Sequence, residues 1–291
     1  MASVARAPHA ERTMKTFFTE HMVCPSFSFS PSAEKPRHVM ASWQDAGIPL
    51  DVEAPVPASV EELCLAHDPD FVRGVLAGER SNGFGNRRGE VAAALPFTTG
   101  AMLSAARWVL GARGRGVAAA PCSGFHHAAW GRPGGFCTFN GLMVTALTLA
   151  KEGRARRVGI LDFDQHYGDG TDEILGRLGI DWVTHITAGK RDWSAREAPE
   201  FLASIEGLVD TMKDCDVILY QAGADPHVDD PLGGWLDTAQ LLERDQRVFR
   251  AARALRVPLV WNLAGGYQEP LRRVLDIHDN TARACVEIYG S

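Results

Sequence analysis

The chain has 291 residues, enough for one large domain or two small ones, and its 45% hydrophobic and 23% charged content is that of a soluble globular protein. A formal net charge of -6 argues against nonspecific nucleic-acid binding, which needs a basic surface; a local basic patch stays compatible with that total. Six cysteines at positions 24, 64, 122, 137, 215 and 285, with no CxxC pair, exclude a disulfide scaffold or a cysteine zinc site and make a reducing cytoplasm the simpler expectation.

No run of about 18 apolar residues is present, so no spanning helix and no membrane partner is expected. Residues Met1 to Arg12 carry charge and proline but lack the apolar core of a signal peptide. Met14 is a candidate start, with residues 1–13 a loose extension and 14–291 one domain. Further on, Ser59-Val-Glu-Glu62 has the form of a capping box at a helix start. The arginines of Gly111–Gly116 read as a solvated connection into a strand, Gly116-Val-Ala-Ala-Ala120. Leu142 to Ala150 is an apolar helix ended by Gly153, and Arg154–Arg157 is a second solvated connection. Arg157-Val-Gly-Ile-Leu-Asp-Phe-Asp164 reads as a buried strand, and Asp181-Trp-Val-Thr-His-Ile186 as a weaker one. Phe201, Leu202, Ile205, Leu208, Val209 and Met212 have helical spacing; so do Leu241, Leu242, Val248, Phe249, Ala252 and Leu255. Asp216-Val-Ile-Leu-Tyr-Gln221 and Val257-Pro-Leu-Val-Trp-Asn-Leu263 complete the strands. Alternation of strands and helices, with no linker and no repeat, predicts a single α/β domain with a mostly parallel sheet flanked by helices.

Polar residues cluster where these strands end. In open α/β sheets ligands bind beyond the carboxyl ends of the strands. Gly124-Phe-His-His127, Asp162-Phe-Asp-Gln-His-Tyr-Gly-Asp169, Gly223-Ala-Asp225 and Gly265-Gly-Tyr267 all fall there. Asp162, Asp164 and His166 alternate along an extended segment and so project together, and carboxylate with imidazole suits Zn²⁺. Alone, this spacing reads equally as a capped strand end; Asp225 is the natural further ligand, though Ala-Asp-Pro by itself is more often a turn. His126-His127 can supply a general base and an electrostatic partner, with Asp162 and Asp169 as carboxylates that orient the rings. A lone His pair is more often structural. Tyr267, after two glycines, can place a phenol over a carbonyl oxygen or can simply pack.

Taken together, Gly124-Phe-His-His-Ala128, Gly135-Phe-Cys-Thr-Phe-Asn140, the Asp162–Thr171 block, Gln221-Ala-Gly-Ala-Asp225 and Ala264-Gly-Gly-Tyr267 resemble the signature blocks of the histone deacetylase and acetylpolyamine amidohydrolase family, in the family's order. The likeness runs from about Pro31 to Tyr267. It implies an arginase-deacetylase type of fold and one Zn²⁺ held by Asp164, His166 and Asp225. It further implies His127 with Asp169 as the base, His126 with Asp162 as the charge stabiliser, and Tyr267 on the substrate carbonyl. Gly135, Phe136 and Leu232 would contact the substrate, and Arg37 would lie beneath the metal. The implied reaction is hydrolysis of an N-acyl amide, with an acyl-lysine of a protein or a small acylated amine as substrate partner and an acetylpolyamine as the alternative.

Three departures from the family pattern stand out. Tyr167 replaces a common histidine at a position not expected to contact zinc. Val183 takes the place of a serine that helps bind K⁺, which leaves that second ion possible but uncertain. Within Gly78–Glu90 no clear acidic rim residue occurs, with Asn82, Asn86 and Glu90 the candidates. A ureohydrolase with two metal ions and a non-catalytic module that retains the pocket remain the other readings. Oligomeric state is not legible.

Overall fold

The computed structural model describes residues 13–111 and 116–290. Residues 1–12 of the expected 1–13 extension and the arginine-bearing stretch 112–115 lie outside them. Seven strands form one sheet: β1 (Met14–Phe17), β2 (Leu50–Glu53), β3 (Val117–Ala120), β4 (Val158–Asp162), β5 (Val183–Thr187), β6 (Val217–Gly223) and β7 (Leu259–Ala264). Their order is β2-β1-β3-β7-β6-β4-β5 and every pairing is parallel. The last strand in the chain therefore lies at the centre of the sheet.

Parallel strands need crossovers, and these put helices on both faces. Alternate residues of each strand enter opposite layers. In β6, Ile218, Tyr220 and Ala222 join the core shared with α1 (Lys35–Asp45), α7 (Ala198–Asp210), α8 (Thr238–Leu255) and α9 (Arg272–Gly290). Val217 and Leu219 point the other way, into the core beneath α2 (Val60–Ala66), α3 (Pro69–Leu76), α4 (Gly89–Val109), α5 (Gly141–Lys151) and α6 (Asp169–Leu178). The architecture is one three-layer α/β domain, as the alternating pattern predicts.

The five expected strands form within one to three residues of their predicted ends, and the Ser59 capping box is made, with Glu62 accepting from Ser59 N at 2.7 Å. Strands β1 and β2 and helices α1, α3, α4, α6 and α9 were not separated out by periodicity. Among the described residues, no helix is long and apolar enough to cross a membrane.

Candidate active site

The carboxyl ends of β3, β4, β6 and β7 are neighbours in the sheet, so the loops that follow them converge. Asp162 ends β4 fully buried. Its Oδ2 accepts from His126 Nδ1 at 2.7 Å, and its Oδ1 accepts from Gln221 Nε2 at 2.9 Å and Asp164 N at 3.2 Å. Asp162 thus faces away from the ligand cluster and orients an imidazole. His127, on the neighbouring position, donates Nδ1–H to Asp169 Oδ1 at 2.7 Å, and the two histidine rings stand 4.0 Å apart.

Asp164, His166 and Asp225 each bring a ligand atom within 4.8 Å of the others. His166 Nδ1 lies 3.1 Å from Asp164 Oδ1 and 3.0 Å from Asp225 Oδ2. Asp225 Oδ2 is nevertheless buried with no aligned hydrogen-bond donor. An orphaned oxygen on one of two buried carboxylates, beside a half-buried imidazole, fits a cation ligand, and two carboxylates with one imidazole are donors that suit Zn²⁺. The electrostatics agree. Burial and the like charge of Asp164 push Asp225 up to about 7, while the adjoining Asp164 and Asp225 carboxylates raise His166 to about 10. Asp164 itself is held low, because His126 and His166 outweigh its burial. A divalent ion held by these groups would relieve the repulsion between the two carboxylates.

The two histidines next to this cluster differ. Burial opposes charge on both, but Asp162 and Asp164 raise His126 to about 9. Burial and the neighbouring His126 lower His127, only partly offset by Asp169. One ring therefore favours the imidazolium and the other the free base.

Tyr267 is placed by a tight turn. Gly265 has φ +50, and a Cβ there would meet the Asp225 carboxylate at 2.2 Å; Gly266 has φ +91. Tyr267 N donates to Asp230 Oδ2 at 2.8 Å, which fixes its backbone, and Tyr267 lines the pocket that holds Asp164 and His166. The pocket over the cluster is lined by His126, His127, Gly135, Phe136, Cys137, Asp164, His166, Gly265 and Tyr267, with Ser32, Ser123 and Gly124 below. Gly135 (φ +46) lets Phe136 approach, since a Cβ would lie 2.3 Å from His127 Cδ2. Behind Phe136 an apolar chamber of about 50 Å³ shares the Ser32, Ser123, Gly124 and Phe136 walls.

Most of the expected site residues are thus brought together; Arg37 is not. Its side chain is 52% exposed and its Nε bonds Glu20 Oε2 at 2.8 Å. The buried cation is Lys35, whose Nζ donates to the Gly265 carbonyl and whose pKa burial lowers to about 8. Lys35 and Arg37 sit two positions apart at the start of α1, on opposite sides of the helix, and the core receives the first. Leu232, 38% exposed, does not line the pocket, but its backbone is tied to that of Tyr267 because Asp230 accepts from both Leu232 N and Tyr267 N. Tyr167 turns away and donates to Asp172. Asn82 and Asn86 serve the backbone: Asn82 Nδ2 donates to Asn86 Oδ1 at 2.7 Å and Asn86 Nδ2 to the Ser26 carbonyl at 2.8 Å. Glu90 lies in the first turn of α4.

Two supporting residues escaped sequence reasoning. Arg244, fully buried, donates to the carbonyls of Phe163 at 3.1 Å and Gly223 at 2.6 Å, tying the two ligand-bearing loops together. Asp245 holds Arg244 Nε at 2.8 Å and is itself fixed by Tyr220 and Thr281. The adjacent Arg-Asp pair inside an amphipathic helix was the only available signal.

A parallel α/β sheet with such a ligand set at its carboxyl edge defines the class as an arginase-deacetylase type of fold. Residues 31–178, just over half of the chain, match the histone deacetylase domain, and the chain belongs to that family. It is 28% identical over 250 residues to an uncharacterized protein of Picosynechococcus sp., covering 78% of this chain and 82% of that one. It is 29% identical to the acetoin utilization protein AcuC of Bacillus subtilis, covering 77% and 68%. Over 181 residues it is 30% identical to histone deacetylase 2 of Arabidopsis thaliana, of which it spans 47%. Among solved structures, the acetylpolyamine aminohydrolase of Burkholderia pseudomallei superposes with a TM-score of 0.71 over 96% of this chain and 99% of that one. The HDA15 HD domain superposes with a TM-score of 0.76 over 97% and 89%. Both are 20% identical, a likeness of fold.

Proposed function

We propose that the chain is a zinc-dependent amide hydrolase that removes an acetyl-type acyl group from a primary amine. The single observation that carries this reading is the Asp164, His166 and Asp225 cluster, its two carboxylates buried, flanked by a differentiated histidine pair. Those three residues would hold one zinc ion, which when bound supplies Lewis-acid polarisation of the amide carbonyl and acidifies a water. His127, kept neutral by burial and by its neighbour, takes a proton from the attacking water and later delivers one to the leaving nitrogen. His126, paired with Asp162, holds positive charge beside the carbon under attack. Tyr267, whose phenol stays protonated because burial and the nearby carboxylates raise its pKa, donates to the developing oxyanion. Gly135 and Phe136 line the passage for the amine stem.

One group of three ligands, among the described residues, favours a single-metal site over the two-metal ureohydrolase chemistry. Val183 pairs with Val158, at the other end of β4 from Asp162, so it does not take the place of a potassium ligand near the Asp162–His166 segment; the residue beside Asp162 is Thr187. The test is amine release by protein loaded with one equivalent of Zn²⁺ from acetyl-lysine peptides, acetylputrescine and acetylspermidine, with a hydroxamate as control. Hydroxamate-sensitive turnover is expected. Zinc-loaded, folded protein inert on the whole panel would refute the reading.

A further inference from the structure

The opening of the pocket is built from rings. Phe136 lines the pocket, and Phe29 packs edge-on against it with centroids 5.2 Å apart while remaining 75% exposed. Phe84 stacks on Phe136 at 6.1 Å, and Tyr267 lies 5.7 Å from Phe136 and 6.4 Å from Phe29. Leu232 is tied to the backbone of Tyr267 through their shared Asp230 carboxylate, which turns inward to both backbone amides. The collar of Phe29, Phe84, Phe136 and Tyr267 carries no formal charge.

This exposure is held in place. The backbone of 26–30 is laced by Ser26 Oγ to the Ser30 carbonyl at 3.3 Å, Ser28 N to Ser26 Oγ at 3.4 Å and Ser30 N to Ser28 Oγ at 3.2 Å. Asn86 Nδ2 ties the loop to the 82–88 segment through the Ser26 carbonyl. Phe27, 60% exposed, sits at φ +54, and Phe136 at φ +64; a left-handed backbone is costly for an aromatic residue and persists where the surroundings enforce it. The Arg88 guanidinium covers the face of Phe27 at 3.8 Å, so that ring face is occupied, while Glu34 and Glu90 lie near Cys24 on the inner side of the loop. An apolar patch rimming a concave site marks where ligand is covered.

We infer that the amines deacylated here carry an uncharged aromatic or branched apolar group just outside the passage, and that Phe29 is the main contact for it. This rests on the deacylase reading above and chooses, within it, against the polycationic substrates. Excess solvent-exposed ring surface gains by being covered with apolar surface, whereas a polyammonium chain would be desolvated against a collar that carries no carboxylate of its own.

The experiment compares kcat/KM for Nα-benzoyl-Nε-acetyl-lysine methylamide, uncapped N-acetylbutylamine and acetylspermidine, in the wild type and in Phe29→Ala. In parallel, the zinc-loaded proteins are titrated with alkyl hydroxamates bearing a phenyl or an ammonium cap. The benzoyl-capped substrate is expected to exceed acetylspermidine by ten-fold or more. Phe29→Ala is expected to raise KM for the capped substrate several-fold with kcat within two-fold, collapsing the capped-to-uncapped ratio towards one. A preference for acetylspermidine or the ammonium-capped hydroxamate, as for rings acting as a cation cage, overturns the inference. So does a capped-to-uncapped ratio that Phe29→Ala leaves unmoved. Inert protein that still prefers the phenyl-capped hydroxamate would refute the deacylase reading while supporting the collar.

Discussion

Gly265 and Tyr267 show how closely single atoms govern this site. A methyl group at Gly265 would occupy the space of the Asp225 carboxylate, so Gly265→Ala is expected to weaken zinc binding, measured by competition with a chelator, more than it lowers stability. Retention of wild-type affinity would show that the turn relaxes. Tyr267→Phe removes one hydroxyl and should lower kcat by about 10²–10³ with metal content unchanged, the usual cost of one oxyanion donor. His127→Ala should do likewise, and retained turnover in both variants would remove the assigned roles. Asp164→Ala should lose the metal itself; full zinc occupancy in that variant would move the ligand set elsewhere. Much of this was legible in the sequence, because D-x-D-x-H at a strand end and two adjacent histidines are local patterns. What was not legible is which neighbour turns inward. Lys35 and Arg37 are both cations at a helix start, and only the packing of α1 against α9 and the 265–267 turn decides that the lysine is buried.

At the level of elements, His67 links three of them. It follows α2, donates Nδ1–H to the Ala129 carbonyl at 2.9 Å and accepts from Asn140 N, at the start of α5, through Nε2 at 2.8 Å. This neutral form anchors the loop that continues from His127. Burial lowers the folded pKa to about 4 from 6.5, so between those values the unfolded chain binds more protons. The stabilisation is whole above pH 6.5 and disappears as pH falls to about 4, a loss on the order of 3 kcal/mol. Urea midpoints measured from pH 7 to 4 should fall for the wild type and fall less steeply for His67→Asn. Equal slopes would assign the effect to other groups. Strands β4, β6 and β7 were readable because both faces are covered and the run is apolar throughout. Strand β2 is a short, largely exposed edge of alternating polarity, and β1 contains Lys15, buried only because Asp51 and Glu53 pair with it. Helix α4 is buried around most of its circumference and rich in alanine, so it has no polar stripe to reveal its period.

For the molecule as a whole, zinc that binds only the folded chain must stabilise it. At a thousand-fold excess over the dissociation constant the gain is about 4 kcal/mol, which a melting curve with and without chelator would register as a clear shift in Tm. The shift should vanish in Asp164→Ala; its persistence would place the ion away from the cluster. The parallel architecture was predictable from alternation, but the strand order was not, since it depends on long-range pairing that leaves no local mark.

That order has a consequence for biosynthesis. The sheet divides into β2-β1-β3 on one side and β6-β4-β5 on the other, and only β7 joins them. During translation the two halves emerge without their common strand, so the bonds that join His126 to Asp162 and His127 to Asp169 have no continuous sheet beneath them until Leu259–Ala264 is added. Nascent chains halted before residue 259 should therefore expose unpaired strand edges and engage chaperones, and zinc given to them should find an incomplete pocket.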